Sequence, residues 1–224
     1  MKIVRTNTNQ PNFYKDYNQE SFWYISELSN YVGFQNLNID LINAAIFYST
    51  NQERRKNNLS ICAFHSKLLD TSMLHSMQMK KHNFFSHENQ YERKYRTLSD
   101  RIESVFSNDF KGFFSAGENI SEIKYLSAAK PPRIGLSQPM SYLEISKRII
   151  DGWMNSEGHR LNVLNPQFNF LGCGCVPYVL EDTHSRQEGL KITQNFGGDL
   201  FTNIFPQNKV TAKKFRIVVK QDNK

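Results

Sequence analysis

The sequence predicts an α+β fold in one domain, with most of the helices first and the strands later. A chain of 224 residues fits a single hydrophobic core with extensions better than two domains. Apolar residues recur at helical spacing in the first two thirds of the chain. Two later runs, 168–180 and 190–196, have the composition of strands and flank a polar stretch, which predicts a hairpin.

The helices are predicted from capping residues and from apolar residues three or four positions apart. Asp40 is expected to cap the first long helix. In the second, Leu69, Met73 and Met77 form a stripe that we interpret as core packing. The last contains Ile145, Ile149 and Trp153 on one face and should close at Ser156-Glu157-Gly158. The predicted helices cover 20–28, 40–56, 69–81, 97–106 and a segment around 145–155.

Composition divides the chain into three parts. Residues 1–37 are rich in Asn, Gln, Ser and Tyr and are expected to form an extended lead-in. Residues 38–198 should form the folded domain, with the Pro- and Gly-containing stretch 130–139 as a surface loop. Residues 199–224 form a basic extension whose alternating apolar and charged residues predict an added edge strand.

The charge and the absence of known motifs restrict the class of function. The formal net charge of +7 favours weak binding to anionic surfaces, although the basic residues are scattered and a solvated basic face is the simpler reading. The chain has no phosphate-binding loop, dinucleotide fingerprint, CxxC zinc pair or EF-hand loop, so no specific nucleic-acid or nucleotide site is predicted. No apolar run reaches about 18 residues, so no transmembrane segment is predicted.

The cysteines and the first residues bear on the cellular compartment. Cys62, Cys173 and Cys175 are odd in number, so they cannot form a complete set of disulfides within one chain. The first residues lack the apolar stretch of a signal peptide. The protein is therefore expected either to be cytoplasmic or to depend on an export or lipid-anchor segment that this chain does not show.

Five motifs follow one another along the chain: HSMQM at 75–79, FFSHEN at 84–89, AGENI at 116–120, WMNSEGHRLNVLNP at 153–166 and LGCGC at 171–175. This series resembles the bacterial branch of the CAP superfamily (cysteine-rich secretory, antigen 5 and pathogenesis-related 1 proteins, with the SCP domain) over about 38–198. The resemblance implies an α-β-α sandwich in which a small antiparallel sheet lies between helix layers.

The same resemblance implies a central cleft lined by two His and two Glu side chains. His87 in FFSHEN matches the first His, Glu118 in AGENI the first Glu, and His159 in EGHR the second His. The second Glu is missing, because the position three residues after Trp153 holds Ser156.

Neighbouring residues are expected to line this cleft as well. Glu157 follows the position of the missing Glu, but one step along a helix turns a side chain by about 100°. Asn119 is expected to bond to backbone. Ser156, Glu157 and Asn119 are therefore predicted as cleft-lining residues.

Three interpretations of the cleft stay open. Two imidazoles and one carboxylate match an open zinc site, so His87, Glu118 and His159 are candidate ligands of zinc or another divalent metal. Alternatively, the role of Glu118 is structural. Its ionised carboxylate would bridge the two imidazoles or accept backbone hydrogen bonds, and so hold loops against the core. In a hydrolase, Ser156 would be activated by His159, although no GxSxG motif is present.

The functional expectation is a non-enzymatic binding module that is extracytoplasmic or displayed on a bacterial surface. Its ligand is expected to be a small apolar or lipid-like molecule, or a host or other partner protein, next to a divalent-metal cleft. The alternative is a metal-dependent, protease-like hydrolase that uses His87, Glu118 and His159.

Overall fold

A four-stranded sheet lies between two layers of helices, in the expected α-β-α sandwich. The computed structural model describes residues 11–33, 37–106, 115–125, 140–181 and 186–198. The elements are two short 3₁₀ helices (Ser21–Tyr24 and Ser26–Ser29), α1 (Ile39–Lys56), β1 (Ala63–Phe64), α2 (Ser66–Lys81), a 3₁₀ turn (Arg93–Tyr95), α3 (Leu98–Phe106), β2 (Ser115–Tyr125), α4 (Tyr142–Asn155), α5 (Glu157–Val163), β3 (Phe170–Glu181) and β4 (Arg186–Gly198).

The strand order is β1-β3-β4-β2. β3 and β4 form the predicted antiparallel hairpin, and β2 pairs antiparallel with the other edge of β4. The two-residue β1 runs parallel to β3, so the sheet is mixed and not purely antiparallel. Neither β1 nor β2 was predicted from the sequence.

Residues of β2 and β3 enter two separate hydrophobic clusters on the two faces of the sheet. The larger cluster contains α1, α4 and the N-terminal segment, and it receives Leu171 and Cys173 from β3 and Ile123 from β2. The smaller cluster contains α2 and α3 and receives Ala116 from β2. Because side chains alternate along a strand, Glu118 lies on the same face as Ala116, and Asn119 lies on the opposite face.

Two glycines allow α2 to lie directly on β3. A Cβ at Gly172 would stand 2.1 Å from the backbone nitrogen of Leu69, and one at Gly174 would stand 2.3 Å from that of Met73. The hydroxyls of Ser72 and Ser76 donate to the carbonyl oxygens of Gly172 and Gly174, at 3.0 and 2.8 Å. The small serine face of α2 therefore contacts the sheet.

This contact corrects the prediction for the methionine stripe of α2. Leu69 is buried as expected, but Met73 and Met77 are only partly buried. They lie about one residue, or 100°, around the helix from the serines that contact the sheet. The two methionines therefore border a surface groove instead of filling the core.

The predicted lead-in over 1–37 is not extended where the structure describes it. Phe22 and Leu28 are fully buried against the α1 and α4 layer. The Tyr48 hydroxyl lies 2.8 Å from the carbonyl oxygens of both Phe13 and Tyr17. Residues 11–33 are thus part of the folded unit.

Two helix boundaries also differ from the prediction. Asn38, and not Asp40, caps α1, and its side-chain oxygen accepts from the Leu41 amide at 3.1 Å. Ser156 ends α4, but Glu157 and Gly158 begin α5 and do not close a helix. The predicted loop at 130–139 and the predicted edge strand within 199–224 lie outside the described residues.

The three cysteines are free and buried. Burial raises the pKa of the Cys62 thiol to about 11 and that of Cys173 to about 12, and it raises the pKa of Cys175 well above its usual range. Since the thiolate is the reactive form, all three behave as apolar core residues. No helix in the described part of the chain is long and apolar enough to cross a membrane.

Candidate functional site

Glu118 forms the centre of a buried polar cluster between β2, α2 and α3. Its side chain is 1% exposed, and that of Arg101 on α3 is fully buried. Arg101 Nη2 donates to both carboxylate oxygens of Glu118, at 2.9 and 2.8 Å. A buried carboxylate requires such a partner, because charge without compensation is costly in the protein interior.

Two histidines and an amide complete the surroundings of the Glu118 carboxylate. His87 Nδ1 lies 2.9 Å from Oε1, and His75 Nε2 lies 3.8 Å from the same oxygen. His75 Nε2 also lies 3.0 Å from the Ser86 carbonyl oxygen, so its imidazole has the core hydrogen bond expected of a buried His. Asn195, with its amide oriented to match its neighbours, donates to Oε2 at 3.1 Å.

These contacts fix the charges in the cluster. Burial opposes ionisation of Glu118, but the charges of Arg101 and His75 and the hydrogen bond from His87 outweigh it and lower the pKa to about 2. Burial lowers the pKa of His75 to about 4. At neutral pH the cluster therefore contains an ionised Glu118, a cationic Arg101 and a neutral His75.

His159 approaches from α5, on the opposite side of the β2 edge. Its Nδ1 lies 2.8 Å from the hydroxyl oxygen of Ser156, and its ring centroid is 6.4 Å from that of His87. Asn119 donates to the His159 carbonyl oxygen at 3.3 Å, which confirms the expected backbone bond. Glu157 is exposed in the first turn of α5.

The structure therefore brings His87 and Glu118 into contact and places His159 nearby with Ser156. Both Glu118 oxygens already accept hydrogen bonds from Arg101. Among the described residues, no group of three or more His, Cys, Asp or Glu side chains is arranged to hold a metal ion. The geometry favours the structural interpretation, in which Glu118 holds loops against the core. A bound metal stays a prediction.

Arg101 is the main residue of this cluster that was not predicted from the sequence. It lies on the buried face of α3 with Leu98 and Ile102. An Arg on the apolar face of a short helix is a signal for a buried ion pair, since Arg is rarely buried without a partner.

A groove of about 1100 Å³ follows the outer face of α2, and His87, Glu118 and His159 are not among its lining residues. Its apolar side chains come from α1, α2, α3 and β3, and charged side chains lie near the C-terminal end of α2. The lining residues are Ile39, Asp70, Met73, Leu74, Met77, Gln78, Lys80, Lys81, Glu92, Tyr95, Val105, Cys175, Val176 and Pro177.

Known proteins are similar to this chain in sequence. Residues 47–181 match the model of CAP, the cysteine-rich secretory protein family. YkwD of Bacillus subtilis (strain 168), whose function is uncharacterised, is 32% identical over 127 residues, which are 57% of this chain and 39% of YkwD. The uncharacterised membrane protein YlbC of the same strain is 31% identical over 125 residues, which are 56% of this chain and 29% of YlbC. The chain thus spans well under half of either relative.

Two solved structures of bacterial proteins are also similar. An extracellular protein containing a SCP domain from Bacillus anthracis str. Ames is 32% identical, with a TM-score of 0.49 over 70% of this chain and 40% of that one. An outer surface protein from Borrelia burgdorferi is 14% identical, with a TM-score of 0.46 over 73% of this chain and 96% of that one. Because the family model covers more than half of its residues, the chain belongs to the CAP family of cysteine-rich secretory proteins.

Proposed function

We propose that this chain is a non-enzymatic, extracytoplasmic binding module whose α2 groove accepts the apolar part of a small lipid-like ligand. The observation that carries the proposal is the position of Met73, Leu74 and Met77, which line the groove and are only partly buried. The secretory character of the family supports the extracytoplasmic location.

The size and chemistry of the groove fit such a ligand. Pockets for small molecules typically enclose about 300–1,000 Å³ and are lined mainly by apolar side chains with a few polar groups. Methionine is flexible and polarisable, so Met73 and Met77 adapt to an irregular alkyl chain. Lys80 and Lys81 lie among the lining residues and can pair with an anionic head group.

Titration with a fluorescent fatty acid tests this proposal. We expect saturable binding that Met73→Glu and Met77→Glu each weaken at least about tenfold, because a carboxylate in the groove must be desolvated when an alkyl chain binds. Leu161→Glu is the matched control, since Leu161 is 44% exposed on α5 and lies outside the groove. The proposal fails if the probe does not bind, or if the groove variants bind it as tightly as the control.

The alternative function is a hydrolase at the predicted cleft around His87, Glu118 and His159. The 2.8 Å distance between Ser156 Oγ and His159 Nδ1 favours it, because a serine nucleophile requires a base within hydrogen-bond reach. Against it, Glu118 is held by Arg101. The metal-dependent version would require Glu118 to exchange Arg101 for the metal.

Under the binding proposal, hydrolysis of generic ester and peptide substrates should be no faster with the wild type than with Ser156→Ala or His159→Ala. The measurement is the initial rate with and without added zinc, together with a calorimetric zinc titration of the wild type, His87→Ala and His159→Ala. Turnover that Ser156→Ala or His159→Ala abolishes would support the hydrolase instead. Saturable zinc uptake that the histidine variants remove would support the metal site.

A further inference from the structure

The segment from the end of α2 to the turn before α3, residues 80–96, carries an unusual share of the positive charge. Five of its residues are Lys or Arg and two are Glu, which contributes +3 to the chain's net charge of +7. Glu92 pairs with Lys81 at 2.6 Å, and Glu88 lies 3.6 Å from Arg96. The other three cations, Lys80, Arg93 and Lys94, are exposed, and no ion pair involves them within the described residues.

Two large aromatic side chains project from the same segment. Phe85 is 48% exposed and Tyr91 is 60% exposed. The Tyr91 ring stacks on His82 with centroids 4.8 Å apart, and the Phe85 ring lies 5.5 Å from the ammonium group of Lys191. One side of each ring is thus supported by the protein while a large part of each stays in contact with solvent.

The segment is held in this conformation by the buried cluster. Arg101 donates to the backbone carbonyls of His87, Tyr95 and Arg96 at 3.1–3.2 Å. The side chain of the buried Asn89 accepts from the amides of Tyr91 and Glu92, at 2.9 and 3.2 Å. The cations and rings are therefore presented on a preformed surface, which lowers the entropy lost on binding.

We propose that the 80–96 segment docks the protein onto an anionic lipid bilayer. Each Lys or Arg near an anionic membrane contributes about 1 kcal/mol of attraction. Amphipathic rings such as that of Tyr91 insert at the level of the lipid head groups, where an apolar body and a polar tip are both accommodated. A polyanion without aromatic or apolar groups would be attracted by the cations alone, so the exposed rings favour a bilayer over such a polymer.

The position of the segment adds a structural reason. Lys80, Lys81, Glu92 and Tyr95 belong both to the segment and to the lining of the α2 groove. Docking through this segment brings the charged end of the groove to the lipid surface. Docking itself requires no ligand in the groove, so it is tested separately from the function proposed above.

Sedimentation with lipid vesicles tests the proposal. Wild-type protein should bind vesicles of equal parts phosphatidylglycerol and phosphatidylcholine, and bind phosphatidylcholine alone far more weakly. Combined Lys80→Gln, Arg93→Gln and Lys94→Gln should lower the partition coefficient about 100-fold. Combined Phe85→Ser and Tyr91→Ser should lower it about tenfold, because about half of each ring leaves water on docking.

A matched triple variant distinguishes the contribution of this surface to vesicle binding from the effect of net charge alone. Lys15→Gln, Lys56→Gln and Arg148→Gln remove the same charge from exposed positions elsewhere and should reduce binding only a few fold. Circular dichroism checks that each variant is folded. If the double aromatic variant is unfolded, the binding of Tyr91→Ser alone is measured in its place. Equal losses in the two triple variants, unchanged binding without the rings, or no binding to anionic vesicles would each overturn the proposal. Unchanged binding without the rings would point to purely electrostatic adsorption to anionic surfaces, in which neither ring contacts the lipid.

Discussion

Replacing Glu118 by Gln should lower the free energy of unfolding by about 3–5 kcal/mol, the largest effect expected of any cleft substitution. The reason is that Arg101, fully buried, would lose its counter-charge while it stays out of water. Chemical denaturation followed by circular dichroism measures the change.

The control for this experiment is an ion pair on the surface. Glu53→Gln removes the partner of Lys56, whose side chain is 67% exposed, and should cost no more than about 1 kcal/mol. A loss for Glu118→Gln as small as that of the control would contradict the structural role given to the buried pair. Glu118 would then be free to serve as a metal ligand.

The second large effect is expected at the contact between α2 and β3. Gly174→Ala should destabilise the protein by about 3 kcal/mol, because the new Cβ would meet backbone atoms of Ser72 and Met73 at 2.3–2.8 Å. These atoms belong to a helix backbone and cannot rotate away as a flexible side chain would. Thermal and chemical unfolding of the variant measure the cost.

Gly152→Ala is the matched control for Gly174→Ala. Gly152 is exposed within α4, and a Cβ there would have no neighbour within 4 Å. Replacing a helical glycine by alanine at such a position should raise stability by up to about 1 kcal/mol. If both variants are equally stable, α2 does not lie on β3 in the way described.

The sequence predicted the fold well where periodicity is strong. The helices α1, α2, α3 and α4 and the β3–β4 hairpin all follow from apolar spacing and turn residues. β2 was missed because it contains a charged residue, Glu118, at a buried position, and that charge is compensated only in three dimensions. The N-terminal segment was misjudged because a polar composition concealed aromatic residues that pack on α1.

The site was predicted less completely, for physical reasons. The family resemblance identified His87 and Glu118 as neighbours, but it did not indicate Arg101, which lies on α3. The methionine stripe of α2 had the right spacing for a core face. Only the close approach allowed by Gly172 and Gly174 shows that the serines occupy that face and the methionines border a groove.

Methyl NMR of the six methionines tests the groove most directly, because the protein contains methionines both inside and outside it. With ¹³C-methyl methionine and a spin-labelled fatty acid, the signals of Met73 and Met77 should broaden at the lowest ligand concentrations. Those of Met140 and Met154, which lie outside the groove, should broaden much later. Equal broadening of all signals, or earlier broadening of Met140 and Met154, would contradict ligand binding along α2.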